Sequence, residues 1–220
     1  MPPPVTNGEL SAFQREVLAR LFESERDFFL TGGAALVGYY LHHRLTDDLD
    51  LFTADEEAFA RGARVLADVA HALGARVEVR QESPSFRRSA VVRADDFVVV
   101  DMVLDRVPQL HAQKREIDHV RVDPPDEILA NKLTALVGRM EERDLVDVLF
   151  LERTGYRVED ALAAALDKDG GCTPATLAWL LSEIRIPDDA VLPAGVAPKE
   201  VRAFIDDLVV RMRRVALPSR

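Results

Sequence analysis

The sequence predicts an α/β (α+β) fold: a small mixed β-sheet flanked by helices, followed by an α-helical C-terminal part. Three observations carry this. Residues 28–52, FFLTGGAALVGYYLHHRLTDDLDLF, read as strand, glycine turn, helix and second strand. Residues 76–104 hold three strand candidates, the last of them (FVVVDMVL) the most strand-like run in the chain. Beyond Asp123-Pro-Pro-Asp126 every periodic segment has helical spacing.

Taken in order, Pro2 to Pro4 form a lead-in, and Thr6-x-x-Glu9 reads as a capping box. A helix with Leu10, Phe13, Val17, Leu18 and Leu21 on its inner face follows and should lie on the sheet. Phe28 to Leu30 form a short buried strand, and the segment after Gly32-Gly33 is long enough for about three helical turns. The second strand runs from Asp47 to Phe52. Thr53-x-x-Glu56 then caps a helix that uses Phe59, Leu66, Val69 and Leu73 inward and stops at Gly74. Residues 76–81 alternate, with Val77 and Val79 inward. Residues 85–93 are less regular, and Ala94-Asp95-Asp96 makes the turn into residues 97–104. Residues 117–122 give a last strand. The domain boundary falls there: residues 1–123 form the core domain, and 124–220 a helical domain packed on it. Its helices are expected at 127–137, 141–153 and 159–168, after Thr173-Pro174, and at 198–215.

Composition narrows the function. The chain has 220 residues, enough for one domain or one and a half, and is 48% hydrophobic. No run approaches the roughly 18 apolar residues of a membrane span. The stretch MPPPVTNGEL has neither the basic region nor the apolar core of a signal peptide. Cys172 is the only cysteine, which excludes an intrachain disulfide and fits a reducing cytoplasm. A net charge of −10 disfavours a broad, non-specific grip on nucleic acid but leaves room for a local basic track. His42, His71, His111 and His119 lack acidic or cysteine partners at zinc-site spacing, and no Ser-His-Asp set or Walker-type loop is present.

The chemistry concentrates in residues 28–52. A strand, a glycine turn and a helix N-terminus hold phosphate, because glycine lets the backbone approach an anion and the first-turn N–H groups point at it. Asp48 and Asp50, two apart on a strand, face the same way. Two such carboxylates repel each other and are costly to desolvate, and a hard divalent cation removes both costs. Phosphate turn and carboxylate pair together imply nucleotide chemistry. Asp101, inside FVVVDMVL and on a face with Phe97, Val99 and Val103, needs its own reason. It is either a salt-bridged core aspartate or a third metal ligand on a neighbouring strand.

TGGAAL...HHRLTDDLDLF resembles the first motif of the AbiEii/AbiGii-type nucleotidyltransferase toxins, a branch of the DNA-polymerase-beta-like superfamily. A GG pair or a DxD alone is common; joined, with His43-Arg44 between them, they are specific. One departure is Ala34, where the branch usually carries a hydroxyl residue, so phosphate contacts must come from backbone N–H groups or from Thr31. Residues 128–151, ILANKLTALVGRMEERDLVDVLFL, resemble a second conserved stretch of the same family. The resemblance spans about residues 28 to 151. It implies metal-dependent transfer of an NMP from an NTP to an acceptor hydroxyl, with Asp48, Asp50 and Asp101 as catalytic and metal-binding residues. The metal is Mg²⁺, two ions, with Mn²⁺ able to take its place. Gly32, Gly33, Lys132, Arg139 and Arg44 would bind the NTP. Arg143, Asp144 and Asp147 read instead as a structural salt-bridge set joining the helical part to the sheet. The implied setting is a cytoplasmic bacterial toxin–antitoxin system with a cognate antitoxin and tRNA as acceptor. Arg44, Arg87-Arg88 and the tail arginines Arg211, Arg213 and Arg214 are the local cations that an RNA would meet. The competing readings are transfer to a protein or to a small molecule such as an antibiotic, and a degenerate module that binds NTP without transfer.

Overall fold

The computed structural model describes residues 8–217, so Pro2 to Pro4, Thr6 and Arg220 lie outside the described residues. The chain divides into two compact units, one of residues 8–106 and 111–124 and one containing 107–110 and the chain from Pro125 onward. The fold is mixed α/β, with a seven-stranded sheet in the first unit.

Helix α1 runs from Ala12 to Ser24. Its capping box is Ser11 with Gln14, later in the chain than the expected Thr6-x-x-Glu9: Ser11 Oγ accepts from the Gln14 N–H at 3.0 Å and Gln14 Oε1 from the Ser11 N–H at 2.7 Å. Both pairs satisfy the S/T-x-x-E/Q spacing, and only the later one precedes the buried residues Phe13, Val17 and Leu21 by the right offset. Strand β1 (Phe29–Thr31) leads into a single α-turn, α2 (Gly32–Ala35), which widens into a π-turn at Leu36–Tyr40. The helix is therefore shorter than the expected three turns. It is closed by a hydrogen bond from Leu41 N–H to Leu36 O of 2.7 Å and by left-handed His42.

Strand β2 (Asp48–Thr53) and helix α3 (Glu56–Ala72) follow. Asp55 caps α3, accepting from the Ala58 N–H at 2.7 Å, while Thr53 ends the strand and accepts from the Asp55 N–H at 3.1 Å. Gly74, left-handed, closes α3 as expected. Strands β3 (Arg76–Ser83), β4 (Phe86–Arg93) and β5 (Asp96–Leu104) form a meander. Residues 117–122 are not one strand but the inner parts of a hairpin, β6 (Arg115–Ile117) and β7 (Val120–Val122). Asp118 and His119 both have positive φ, the geometry of a two-residue turn whose twist matches its strands.

The strand order is β3-β4-β5-β2-β1-β7-β6. Pairs β2–β5 and β1–β7 are parallel and the rest antiparallel. Helices α1 and α3 pack on the face formed by Leu49, Leu51, Val91, Val98, Val100 and Met102, all buried. Val79, expected inward, is 58% exposed, because β3 is an edge strand and is bulged between Val79 and Gln81.

The second unit contains α4 (Pro125–Gly138), α5 (Glu142–Arg153), α6 (Val158–Lys168), α7 (Pro174–Glu183) and α8 (Pro198–Ala216). Thr173 caps α7 with Pro174 in its first turn, as the sequence predicts. Helix α4 is the hub, touching α5, α6 and α7. Among the described residues no helix is long and apolar enough to cross a membrane.

Candidate active site

Strand β2 alternates strictly. Leu49, Leu51 and Thr53 are buried on the helix-covered face, while Asp48, Asp50 and Phe52 occupy the half-open one. In the parallel β2–β5 pair Asp50 lies opposite Asp101, and in the β4–β5 hairpin Asp101 lies opposite Arg88. In the β1–β2 pair Thr31 lies opposite Asp50. Thr31, Asp50, Asp101 and Arg88 therefore form one row across four adjacent strands, on a single face because directly paired residues share a side. Asp48 sits one step along the same face and accepts from Thr46 Oγ1 at 2.9 Å. The loop before Asp48 is tied to α1, since Gln14 Nε2 donates to the Thr46 carbonyl at 2.8 Å.

The two glycines of the turn make room for charge. Gly32 has φ of +64°, and a Cβ there would collide with Asp50 Oδ2. A Cβ on Gly33 would collide with an Arg44 guanidinium nitrogen. Arg44 belongs to the loop after the π-turn and is buried with its Nη1 donating to Leu45 O at 2.9 Å. The Gly32-Gly33 turn thus has a carboxylate against one residue and a guanidinium against the next. Thr31 is 2% exposed, and its Oγ1 makes no hydrogen bond among the described residues.

Asp101, 4% exposed, is held by a fork: Arg88 Nε donates to Oδ1 at 2.8 Å and Nη2 to Oδ2 at 2.6 Å. This Asp101 hydrogen bond is the main cause that raises the Arg88 pKa above its ordinary value, with Asp48 and Asp50 adding to it through space. Arg88 is the residue that sequence reasoning did not tie to the acids. The signal was available in the Ala94-Asp95 turn: counting back equally on both strands from the Arg93–Asp96 pair brings Arg88 to Asp101. Arg87 points the other way, packs over the Phe59 ring and bonds Glu82. Among the described residues no group of three or more His, Cys, Asp or Glu is arranged to hold a metal ion as it stands.

The second cluster lies in the helical unit. Lys132 on α4 is 5% exposed, with Nζ 2.7 Å from both Asp144 Oδ1 and Asp147 Oδ2 of α5. Burial alone would lower the Lys132 ammonium, but Asp147 and Asp144 more than offset it and raise its pKa. Arg139 also grips Asp144, through Nε at 3.0 Å and Nη2 at 3.2 Å. Burial opposes the Asp144 charge, yet Lys132 and Arg139 hold its carboxyl below the ordinary range. Asp144 and Asp147 are thus ion-pair residues of the helical unit, and Arg143 pairs with Glu141 at 2.6 Å. Of the tail arginines, Arg211 is tied to Glu152 and Glu159, whereas Arg213 and Arg214 are exposed.

A family model described as "Nucleotidyl transferase AbiEii toxin, Type IV TA system" matches residues 16–213. Among the solved structures similar to the chain are these two. JHP933 from Helicobacter pylori aligns with a TM-score of 0.59 and 18% identity over 94% of this chain and 97% of that one. The nucleotidyltransferase toxin MenT4 (Rv2826c) from Mycobacterium tuberculosis H37Rv aligns with a TM-score of 0.51 and 14% identity, covering 92% and 84% respectively. At these identities the likeness concerns the fold. No curated protein matches the chain.

Proposed function

The chain belongs to the AbiEii family of nucleotidyltransferase toxins, and from that premise we propose that it moves an NMP from an NTP to an acceptor hydroxyl, in a metal-dependent reaction. The observation that carries this is the row Asp50–Asp101–Arg88 beside a Gly32 that has no space for a side chain. The donor set suits a hard cation: three carboxylates share one face, two of them paired across neighbouring strands. The buried Thr31 hydroxyl supplies an unsatisfied donor next to the turn.

Asp48, Asp50 and Asp101 would hold Mg²⁺, or Mn²⁺ in its place. Bound there, the ions would neutralise triphosphate charge and favour in-line displacement. The chain's own residues do the rest. Backbone N–H groups at Gly32 and Gly33, with Thr31 Oγ1, receive phosphate oxygens, and Arg44 adds a cation beside Gly33. Asp101 assists loss of the acceptor proton as the acceptor oxygen bonds to the α-phosphorus. The α–β bond breaks and pyrophosphate leaves with the electron pair. Of the three N–H donors of its ammonium, Lys132 directs two to Asp144 and Asp147, and Arg139 grips Asp144.

The acceptor we propose is an RNA 3′ end, that of tRNA, with a cognate antitoxin as the regulating partner. The test is incubation with each labelled NTP and total RNA. Asp48→Asn and Asp50→Asn should abolish labelling with the fold intact, while Asp101→Asn should lose transfer and keep much of the NTP affinity. Full transfer by either of the first two variants would overturn the metal-dependent reading. Label found only on protein or a small molecule would remove tRNA. Binding of NTP without transfer to any acceptor would point to a degenerate module.

A further inference from the structure

The Arg88–Asp101 pair occupies a position that a purely structural salt bridge does not need. The β4–β5 hairpin sets Arg88 directly opposite Asp101, and both carboxylate oxygens accept from the guanidinium. A carboxylate gripped in this way keeps a lone pair on each oxygen, but the guanidinium charge against it opposes a divalent ion at the same group.

The two partners differ in their freedom to move. Asp101 is 6% exposed at its side chain, in the middle of a central strand. Arg88 is 44% exposed at its side chain, and its guanidinium lies 5.8 Å from the centre of the Phe86 ring, so its head can swing along an aromatic surface open to solvent. The same head lies in the field of Asp48 and Asp50. A planar fork released from a carboxylate also fits a phosphate, which presents the same paired oxygens.

We propose that Arg88 is an exchange cation: it neutralises Asp101 in the resting site, yields that carboxylate to a divalent ion, and turns its fork onto a phosphate of the entering nucleotide. The inference rests on the nucleotidyl-transfer reading and adds to it a residue that contacts substrate. It makes two predictions of opposite sign. Without Arg88 the metal has no competitor, so metal binding in the absence of nucleotide should tighten. Without Arg88 the nucleotide loses a charged contact, so nucleotide binding at saturating metal should weaken. A structural ion pair would weaken both, and a bystander would change neither.

The experiment measures Mn²⁺ binding to the full chain by electron paramagnetic resonance, and then binding of a non-hydrolysable NTP analogue by calorimetry. The proteins are wild type, Arg88→Ala and Arg88→Gln, the last keeping a hydrogen-bond donor at Asp101 should the alanine variant fail to fold. We expect Mn²⁺ to bind about fivefold tighter in the variants, the scale of a partly exposed ion pair. The analogue should bind about tenfold more weakly, the scale of one charge-assisted contact. Both affinities unchanged, both weakened, or a change in only one would overturn the exchange. If wild type binds Mn²⁺ and loses it in Asp50→Asn while the Arg88 variants change nothing, the exchange alone fails. If wild type binds no Mn²⁺ at millimolar concentration, the metal-dependent reading fails and takes the exchange with it.

Discussion

At residue 32 the backbone is left-handed and the space where a side chain would start is filled by the Asp50 carboxylate. Gly32→Ala must both strain the turn, by about 1–2 kcal/mol, and displace Asp50 from its row. We expect transfer to fall at least about a hundredfold, as a reacting group displaced by about an ångström does, while far-ultraviolet circular dichroism stays native. An alanine variant with normal activity would separate Gly32 from the acid's placement. The neighbouring hydroxyl gives a converse case. Thr31 Oγ1 is buried without a hydrogen bond, so Thr31→Val should leave the unliganded protein as stable or raise it by up to about 1 kcal/mol. The same change should weaken NTP binding, and calorimetry with thermal melts reads both. Asp48, Asp50, Asp101 and the glycine pair were legible because acids on an apolar strand and paired glycines stand out against their surroundings. That Asp101 is gripped by Arg88 was missed, because the three-residue turn expected at Ala94-Asp95-Asp96 shifts by one residue the register that the two-residue turn at Ala94-Asp95 sets.

Among the elements, helices α4 and α5 are joined by the buried Lys132 between Asp144 and Asp147. Lys132→Met keeps the volume and removes the charge, leaving buried carboxylates without their ammonium, a loss of about 3–5 kcal/mol. Urea titration should show it as an earlier midpoint with the slope unchanged. The pH dependence follows from the directions of the shifts. Asp144 is held below its ordinary 3.8, so its contribution is present above that value and is lost as pH falls through the depressed one. Lys132 is held above its ordinary 10.5, so its contribution is present below that value and is lost as pH rises through the raised one. In the Met variant both flanks should flatten. The helices were read well from periodicity and from Thr173-Pro174, whose signals are local. The misplaced starts of α1 and α3 have a common cause: two overlapping capping patterns compete, and tertiary packing selects one. The β6–β7 hairpin was missed because Asp118-His119 is an uncommon pair for a turn with two positive φ values.

For the whole molecule, a charge of −10 means that an RNA acceptor must be held by few cations. Arg211 is not among them, being bonded to Glu152 and Glu159, and Arg87 is committed to Glu82. Replacing Arg213 and Arg214 together by Ala should therefore reduce RNA labelling, leave NTP binding unchanged and lower the slope of log affinity against log salt by about two. An unchanged slope would place the RNA elsewhere. The arrangement of the sheet bears on solution behaviour as well. Its β3 edge is eight residues long, a length that in a flat apolar strand would recruit another chain. Here Arg76 and Arg80 both bind Glu78, and the bulge after Val79 breaks the repeat of donors and acceptors that an arriving strand would need to match. The strand most open to solvent is thus also the one least suited to serve as a template for another chain.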